Sequence, residues 1–294
     1  MAAEPYRHIR VRAVNPYIGA YIEDVDVSSP QAPEVYDEIK QALWRHHVIF
    51  FRNQPMSPEA HKALAAPFGE AVAHEIFPSL EGHKEISILE NDREHPPEVN
   101  AWHTDVTFRE RPVAASVLHG VVLPSSGGDT IWASQAAVFD ALHPSVQQML
   151  MGLEAEHDVL HAFEGTNFLV RAGGDAKAAE LRQTTPPKIH PVIIAHPVTG
   201  RPGIFVNSSF TKRIVGISKR ESDGLLSMLF DLIKTPEYQV RFTWEPNSIA
   251  IWDNFATQHY AVADYWPERR VMQRITVGNA KPTAVTQPLA AAAE

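Results

Sequence analysis

The sequence predicts a mainly β protein with flanking helices, a fold of the α+β class. Short apolar segments with strand-like composition recur along the chain, whereas helical periodicity is confined to a few stretches. There is no internal repeat and no long linker, which argues against a solenoid and against two freely hinged domains. Many short strands in one compact unit are typical of a β-sandwich or barrel.

Two helices and a strand are predicted in the N-terminal part of the chain. The segment 32–47 places apolar residues at helical intervals, and the apolar run 48–51 that follows it is typical of a buried strand. Ser57 and Pro58 are expected to begin a second helix, because Pro is tolerated in the first helical turn. That helix would continue to Phe68 and end at Gly69.

The rest of the chain is rich in strand candidates. The expected strands are 85–89, 114–123, 129–133, 191–196, 203–207, 238–244, 248–253 and 271–278. Helical periodicity returns only at about 135–152 and at 218–233, where four leucines form an apolar stripe that we interpret as a packing surface. We expect a single domain over 1–294, with a frayed, low-complexity tail from about 284.

The charge and hydropathy of the chain argue against two classes of partner. The 26 basic and 35 acidic residues give a net charge of -9, which would repel nucleic acids and anionic membrane surfaces. No segment approaches the roughly 20 apolar residues that cross a bilayer, and the N-terminus lacks an apolar signal core. We therefore expect a cytoplasmic protein that binds neither nucleic acid nor membrane.

The absence of cysteine restricts the chemistry of any metal site. It excludes disulfides, thiolate nucleophiles, iron-sulfur clusters and cysteine-zinc sites. A metal ion would need nitrogen and oxygen ligands, and 15 histidines are available to supply them.

His103, Asp105 and His259 are the candidate metal ligands. His103 and Asp105 are two residues apart, so on an extended strand both side chains would lie on one face. His259 follows the apolar run that ends at Asp253, where a strand would emerge into a loop. Two imidazoles and one carboxylate on one face of an octahedral ion are diagnostic of non-haem Fe(II) oxygenases. The alternative is that the His-x-Asp pattern arises by chance and binds no metal, with the two side chains forming a hydrogen-bonded pair or a surface ion pair.

Two arginines close to His259 are candidate anion-binding groups. Arg270 and Arg274 are four positions apart, so a strand would place them on one face together with Met272. The planar guanidinium group holds carboxylate or sulfonate oxygens through two parallel hydrogen bonds. Beside a metal, the two arginines would bind two different anions. The alternative is that one or both pair with Asp264 or Glu268.

Five short motifs together resemble the taurine dioxygenase family of Fe(II)/2-oxoglutarate-dependent oxygenases. They are WHTD at 102–105, GGDTIW at 127–132, WDN at 252–254, TQH at 257–259 and RRVMQR at 269–274, and the resemblance extends from about Asn15 to about Pro282. It implies a double-stranded β-helix, or jelly roll, with Fe(II) as cofactor and 2-oxoglutarate and O2 as cosubstrates. It also implies a homo-oligomer, either a dimer or a tetramer.

The resemblance assigns roles to individual residues. His103, Asp105 and His259 would be the iron ligands, and Thr130 and Arg270 would anchor the far carboxylate of 2-oxoglutarate. For a sulfonate substrate it implies contacts from His74, the backbone at Val106 and Arg274, with two phenylalanines, Phe163 and Phe210, as apolar walls.

The sequence departs from the taurine-binding pattern at two positions. Family members that bind taurine hold its amino group with a tyrosine and an asparagine, and Phe77 and Val99 stand at these places. An ammonium group would lose both partners there. Asn100, one position along, would compensate only if the loop shifts. We therefore expect a substrate whose tail is more apolar than that of taurine.

The expected activity is hydroxylation of the carbon next to sulfur in a taurine-like alkylsulfonate, with release of sulfite, an aldehyde, succinate and CO2. Alkyl sulfates and aryloxyalkanoates are alternative substrates within the same family. Two alternatives belong to other classes: a non-catalytic jelly-roll protein that binds a metal or a small anion, and a hydrolase that uses the same three ligands on zinc. The zinc enzyme would have no use for the clamp of Arg270 and Thr130.

Overall fold

Short strands dominate the secondary structure, as the sequence predicts. The computed structural model describes residues 6–73, 77–98, 100–163 and 166–286. Within them the strands are β1 Arg10–Ala13, β2 Ala20–Glu23, β3 Val48–Phe51, β4 Ala71–Val72, β5 Ser79–Leu80, β6 His83–Asn91, β7 Ala115–Val122, β8 Thr130–Ser134, β9 Glu154–His157, β10 Lys188–Pro191, β11 Ile193–Ala195, β12 Pro202–Ile204, β13 Thr211–Ile214, β14 Gln239–Phe242, β15 Ile249–Asp253, β16 Thr257–Ala261, β17 Arg270–Val277 and β18 Thr283–Ala284. The α-helices are α1 Pro33–His46, α2 Pro58–Ala65, α3 Gln135–Asp140, α4 Pro144–Met151, α5 Val159–Phe163, α6 Asn167–Arg171, α7 Gly174–Thr184 and α8 Lys219–Leu232.

Two facing sheets form the centre of the molecule. The larger sheet has the strand order β1-β2-β3-β15-β7-β17-β6-β5, with β4 also paired to β17, and the smaller sheet has the order β14-β8-β16. Phe50 and Trp252 of the larger sheet pack against Trp132 and Phe242 of the smaller one, and the rings of Phe50 and Phe242 stack at 4.3 Å. This architecture is the jelly roll that the family resemblance implies.

Helices cover the outer faces of the sheets. Helices α1 and α2 pack on the larger sheet, and α2 begins as expected, with Ser57 Oγ accepting a hydrogen bond from the amide of Ala60. Helix α8 begins with a capping box between Ser218 and Glu221. Its leucine stripe packs into an apolar cluster with α3 and α4, so the prediction of a packing surface is confirmed.

The sequence misplaced several elements. The helical pattern at 135–152 is two helices, because Pro144 cannot continue α3 and instead begins α4. The expected strand 191–196 is divided, since β10 ends at Pro191, which has no amide donor. Three helices at 159–184 were not predicted, because they carry no helical period: α5 and α6 have five residues each, and α7 buries only Ala178 and Leu181.

The tail and the domain organisation stay as predictions. The chain is still paired at β18, which bonds to β11, and the last eight residues lie outside the described part. No helix among the described residues is both long and apolar enough to span a membrane.

Candidate active site

Backbone pairing holds His103 and His259 side by side. The amide of His103 donates to the carbonyl of His259 at 3.0 Å, and the amide of His259 donates to the carbonyl of His103 at 2.8 Å. As a result the two imidazole centroids lie 4.1 Å apart. The expectation that His259 lies where a strand becomes a loop is wrong, because the chain reverses tightly at 254–256 and His259 is central in β16.

Asp105 lies in a turn and not on the expected strand. The pairing to β16 ends just before it, and Val106 adopts a left-handed φ of 50°. Even so, Oδ1 of Asp105 lies 3.7 Å from Nε2 of His103 and 3.8 Å from Nε2 of His259. One donor atom from each of the three residues lies within 4.8 Å of the others, so the predicted ligand set does converge.

The protonation states of these groups suit a metal ion. Nδ1–H of His103 donates to the carbonyl of Ala101 at 2.8 Å, which leaves the lone pair on Nε2. Burial lowers the pKa of His103 and of His259, so both imidazoles stay neutral. Burial raises the pKa of Asp105, but the charge of Arg274 and the hydrogen bond from Ser116 lower it, and that pKa lies well below its usual range. A neutral imidazole pair with a carboxylate is the donor set of the 2-His-1-carboxylate iron sites.

A cavity of about 550 Å³ opens from these three side chains. Most of its lining is apolar, as in pockets that bind organic ligands. The predicted site residues that line it are Phe77, His103, Asp105, Val106, Thr130, Phe163, Phe210, His259, Arg270 and Arg274. The other two predicted substrate contacts, His74 and Val99, lie outside the described residues.

Arg270 and Thr130 both line the cavity. Arg270 is buried, and its Nε has no hydrogen-bond partner among the described residues. Nε1–H of Trp244 donates to Oγ1 of Thr130 at 3.0 Å, so the hydroxyl proton of Thr130 is left for another acceptor. A Cβ at Gly128 would lie 3.3 Å from Nε of Arg270, which explains why glycine suits this position.

The alternative pairing of the arginines with Asp264 or Glu268 is not found among the described contacts. Asp264 accepts from the amide of Gly128, and Glu268 accepts from Ser125. The strand alternation is as predicted, because Arg270, Met272 and Arg274 of β17 all line the cavity.

Arg274 lies between the three predicted ligands and the apolar part of the cavity. Nη1 of Arg274 donates to Oδ1 of Asp105 at 3.1 Å, and its guanidinium carbon lies 5.3 Å from the centre of the Phe77 ring. The ring of Phe210 meets His103 edge to face at 6.2 Å and packs against Phe163. The arrangement offers a cation for an anionic head group and aromatic walls for what is attached to it.

Sequence reasoning missed four residues around the site. Trp244 and Tyr265 support Thr130 and Arg270, and Ser116 and Asn254 contact Asp105. Asn254 belongs to the WDN motif, which gave it a signal. The other three belong to none of the quoted motifs, and Trp244 meets Thr130 across 114 positions of sequence.

Residues 10–276 match the family model described as Taurine catabolism dioxygenase TauD, TfdA family. The chain is similar to the Alpha-ketoglutarate-dependent sulfate ester dioxygenase of Pseudomonas putida, at 35% identity over 97% of this chain and 95% of that protein. It is also similar to the Alkylsulfatase of Acinetobacter baylyi, at 34% identity over 93% of this chain and 86% of that protein.

The fold is also similar to that of a solved structure. The crystal structure of a Taurine Dioxygenase from Burkholderia xenovorans superposes with a TM-score of 0.81 at 33% identity, and covers 95% of this chain and 92% of that chain. The chain therefore belongs to the taurine catabolism dioxygenase family, whose members use Fe(II), 2-oxoglutarate and O2 and include dioxygenases of sulfonates, sulfate esters and aryloxyalkanoates.

Proposed function

We propose that this enzyme hydroxylates the carbon that carries the sulfur oxyanion of an alkyl substrate with an apolar tail. The first candidate is an alkyl sulfate ester, which would yield an aldehyde and sulfate. The second is an alkylsulfonate, which would yield an aldehyde and sulfite. In both reactions 2-oxoglutarate and O2 are converted to succinate and CO2, and one oxygen atom enters the substrate. The observation that carries the proposal is the buried guanidinium of Arg274 between Asp105 and Phe77.

His103, Asp105 and His259 would hold the iron. Their donor atoms converge, both imidazoles are neutral, and the carboxylate is ionised. Bound Fe(II), with 2-oxoglutarate and O2, supplies the oxidising power for C–H hydroxylation. The protein side chains orient the reactants and keep the site dry.

Arg270 and Thr130 would bind the far carboxylate of 2-oxoglutarate. Arg270 keeps an unpaired Nε in a buried position, and Thr130 keeps a free hydroxyl proton, because Trp244 already donates to its oxygen. Two unused donors that line the same cavity suit a carboxylate. A zinc hydrolase or a passive metal-binding protein would have no use for this second anion site.

Arg274 would bind the sulfate or sulfonate head group. A buried guanidinium makes charge-assisted hydrogen bonds with such oxyanions. The head group would then lie beside Asp105, and the carbon attached to it would face the metal centre. His74 would contribute as well if the resemblance holds at that position.

The apolar lining supports an apolar tail. Phe77, Phe163 and Phe210 offer rings and no acceptor for an ammonium group. An unpaired buried donor costs about 1 to 3 kcal/mol, and more when it is charged. The names of the two relatives, a sulfate ester dioxygenase and an alkylsulfatase, favour the sulfate ester as first candidate. The similarity to a taurine dioxygenase structure favours the alkylsulfonate as second.

The test is a substrate panel with the Fe(II)-loaded enzyme. Enzyme, Fe(II) and 2-oxoglutarate are combined without oxygen, and O2 is then added with hexyl sulfate, hexanesulfonate, taurine or an aryloxyacetate. Succinate, aldehyde, sulfate and sulfite are measured together. We expect aldehyde equal to succinate with hexyl sulfate or hexanesulfonate, and little turnover of taurine. In the Phe77→Tyr variant, the restored hydroxyl is expected to raise taurine turnover relative to hexyl sulfate.

Three outcomes would contradict the proposal. Taurine turnover equal to that of the hexyl compounds would mean that Asn100 or a water molecule replaces the lost amine contacts. Sulfate release with an alcohol, in the absence of O2 and 2-oxoglutarate, would indicate a hydrolase. No succinate with any compound, despite 2-oxoglutarate binding, would indicate a binding protein.

A further inference from the structure

Asn254, in the WDN motif, is a fully buried residue that the proposed reaction does not use. It follows β15 directly and precedes the turn into β16, which carries His259. Its own amide donates to the carbonyl of Ala114 at 2.9 Å, so the backbone of Asn254 is fixed against the start of β7. The side chain is therefore presented from a rigid place.

The side-chain amide of Asn254 binds the backbone of Asp105 on both sides. Its Oδ1 accepts from the amide of Asp105 at 2.8 Å, and its Nδ2 donates to the carbonyl of Asp105 at 3.0 Å and to that of Val113 at 3.0 Å. Both amide hydrogens and the oxygen are used, so the opposite amide orientation would break all three bonds. Asp105 has no strand partner, and the two bonds from Asn254 to its amide and carbonyl take the place of one.

The three predicted ligands are thus held in two different ways. His103 and His259 are held by mutual backbone bonds, whereas Asp105 lies beyond the end of that pairing. The next residue, Val106, has a φ of 50°, a conformation that β-branched residues rarely adopt and that persists only where the surroundings impose it. Asn254 supplies that constraint through the Asp105 carbonyl, which belongs to the same peptide unit as the amide of Val106.

The carboxylate itself has a separate support. The hydroxyl of Ser116 donates to Oδ2 of Asp105 at 3.0 Å, which leaves Oδ1 directed to the two imidazoles. Ser116, together with Arg274 at Oδ1, therefore fixes the rotation of the carboxylate. Asn254 fixes the place from which the carboxylate extends. Residues that orient metal ligands in this way typically contribute about 10- to 100-fold to metal affinity.

We propose that Asn254 is a positioning residue for the carboxylate ligand of the metal centre. The proposal rests on the ligand set of the proposed function. Replacing Asn254 with alanine leaves the amide and carbonyl of Asp105 and the carbonyl of Val113 buried without these partners. The turn at Val106 then relaxes, Oδ1 leaves its place between the imidazoles, and metal affinity falls by about 10- to 100-fold.

Metal binding by the purified full chain tests the proposal without relying on turnover. Mn(II) is titrated into the metal-free protein by calorimetry, and the rise in melting temperature with Mn(II) is recorded in parallel, because a ligand that binds only the folded state stabilises it according to its affinity. The Asn254→Ala variant is expected to bind Mn(II) about 10- to 100-fold more weakly and to show a smaller rise in melting temperature.

Asn15→Ala is the matched control. The side chain of Asn15 also makes three hydrogen bonds to backbone, accepting from Tyr17 and Ile18 and donating to the carbonyl of Gln239. Its loss is expected to lower the melting temperature without changing the Mn(II) affinity. If Asn254→Ala does not fold, Asn254→Asp replaces it. The negative charge of the added carboxylate would by itself strengthen Mn(II) binding. Weaker Mn(II) binding by Asn254→Asp would therefore show that the position of Asp105 has changed.

The outcomes separate the two proposals. If wild type and His103→Ala bind Mn(II) equally, the ligand set is wrong and the proposed function fails with it. If His103→Ala loses binding while Asn254→Ala or Asn254→Asp binds as tightly as wild type, the ligand set stands and the role of Asn254 is wrong. A loss shared equally by Asn15→Ala would also overturn it, since the effect would then follow from stability alone.

Discussion

Nη1 of Arg274 donates to Oδ1 of Asp105 at 3.1 Å, and both side chains are more than nine-tenths buried. The same carboxylate oxygen faces the imidazoles of His103 and His259. The group proposed to bind the substrate anion therefore lies one side chain away from the proposed metal centre. An anion held by the remaining donors of Arg274 would bring its attached carbon next to the metal, which is the geometry that oxidation of that carbon requires.

Arg274→Gln is expected to weaken substrate binding selectively. A hydrogen bond to a charged group contributes about 1.5 to 3 kcal/mol, so the KM for the alkyl sulfate should rise by about 10-fold or more. The dissociation constant of 2-oxoglutarate should change little.

Arg269→Gln is the control, because Arg269 is exposed and pairs with Glu90. Steady-state kinetics and an anaerobic 2-oxoglutarate titration measure both constants. A loss of 2-oxoglutarate affinity with an unchanged KM would mean that Arg274, and not Arg270, holds the cosubstrate.

Thr130→Val is expected to weaken 2-oxoglutarate binding and to leave the substrate constant nearly unchanged. Valine has the shape of threonine but removes the hydroxyl that would donate to the carboxylate, and it leaves Nε1–H of Trp244 without its acceptor. We expect a loss of about 10-fold in 2-oxoglutarate affinity. Thr130→Ser keeps the hydroxyl and should bind 2-oxoglutarate nearly as wild type does. Equal affinities of the serine and valine variants would remove Thr130 from the clamp.

The parts of the site that lie on regular strands were predictable from the sequence. The period of two along β17 is enough to place Arg270, Met272 and Arg274 on one face, and all three line the cavity. Residue types and spacing made His103, Asp105 and His259 candidate ligands, and the family resemblance assigned them to iron. Their donor atoms converge, and the iron ligation stays a prediction. The pairing of His103 with His259 was not predictable, because it joins segments that are far apart in the sequence.

The remaining parts depend on contacts that leave no local pattern. A left-handed valine at position 106 contradicts local propensity, and the preceding Asp105 is held by Asn254, which is distant in sequence. Helix α5, which carries Phe163 on the cavity wall, and helix α6 are too short to show a helical period. The assignments of His74 and Val99 lie outside the described residues and stay predictions.

The stability of the folded chain is expected to fall as the pH falls, in part through His61 of α2. Burial lowers the pKa of His61 from 6.5 to about 4, because the ring packs inside the protein while its Nε2–H donates to the carbonyl of Val117 at 3.0 Å. Between pH 6.5 and about pH 4 the unfolded chain takes up a proton that the folded chain does not. The contribution of His61 to the free energy of unfolding is therefore complete above pH 6.5 and is lost as the pH falls to about 4. From about pH 7 to about pH 5 this loss is about 2 kcal/mol, since one unit of pKa shift corresponds to about 1.4 kcal/mol.

His61→Gln tests this expectation, because glutamine keeps a donor for the carbonyl of Val117 and does not titrate. The free energy of unfolding is measured with urea at both pH values. Its decrease from pH 7 to pH 5 should be about 2 kcal/mol smaller in the variant than in wild type. Equal decreases in the two proteins would show that His61 is protonated in the folded state without cost.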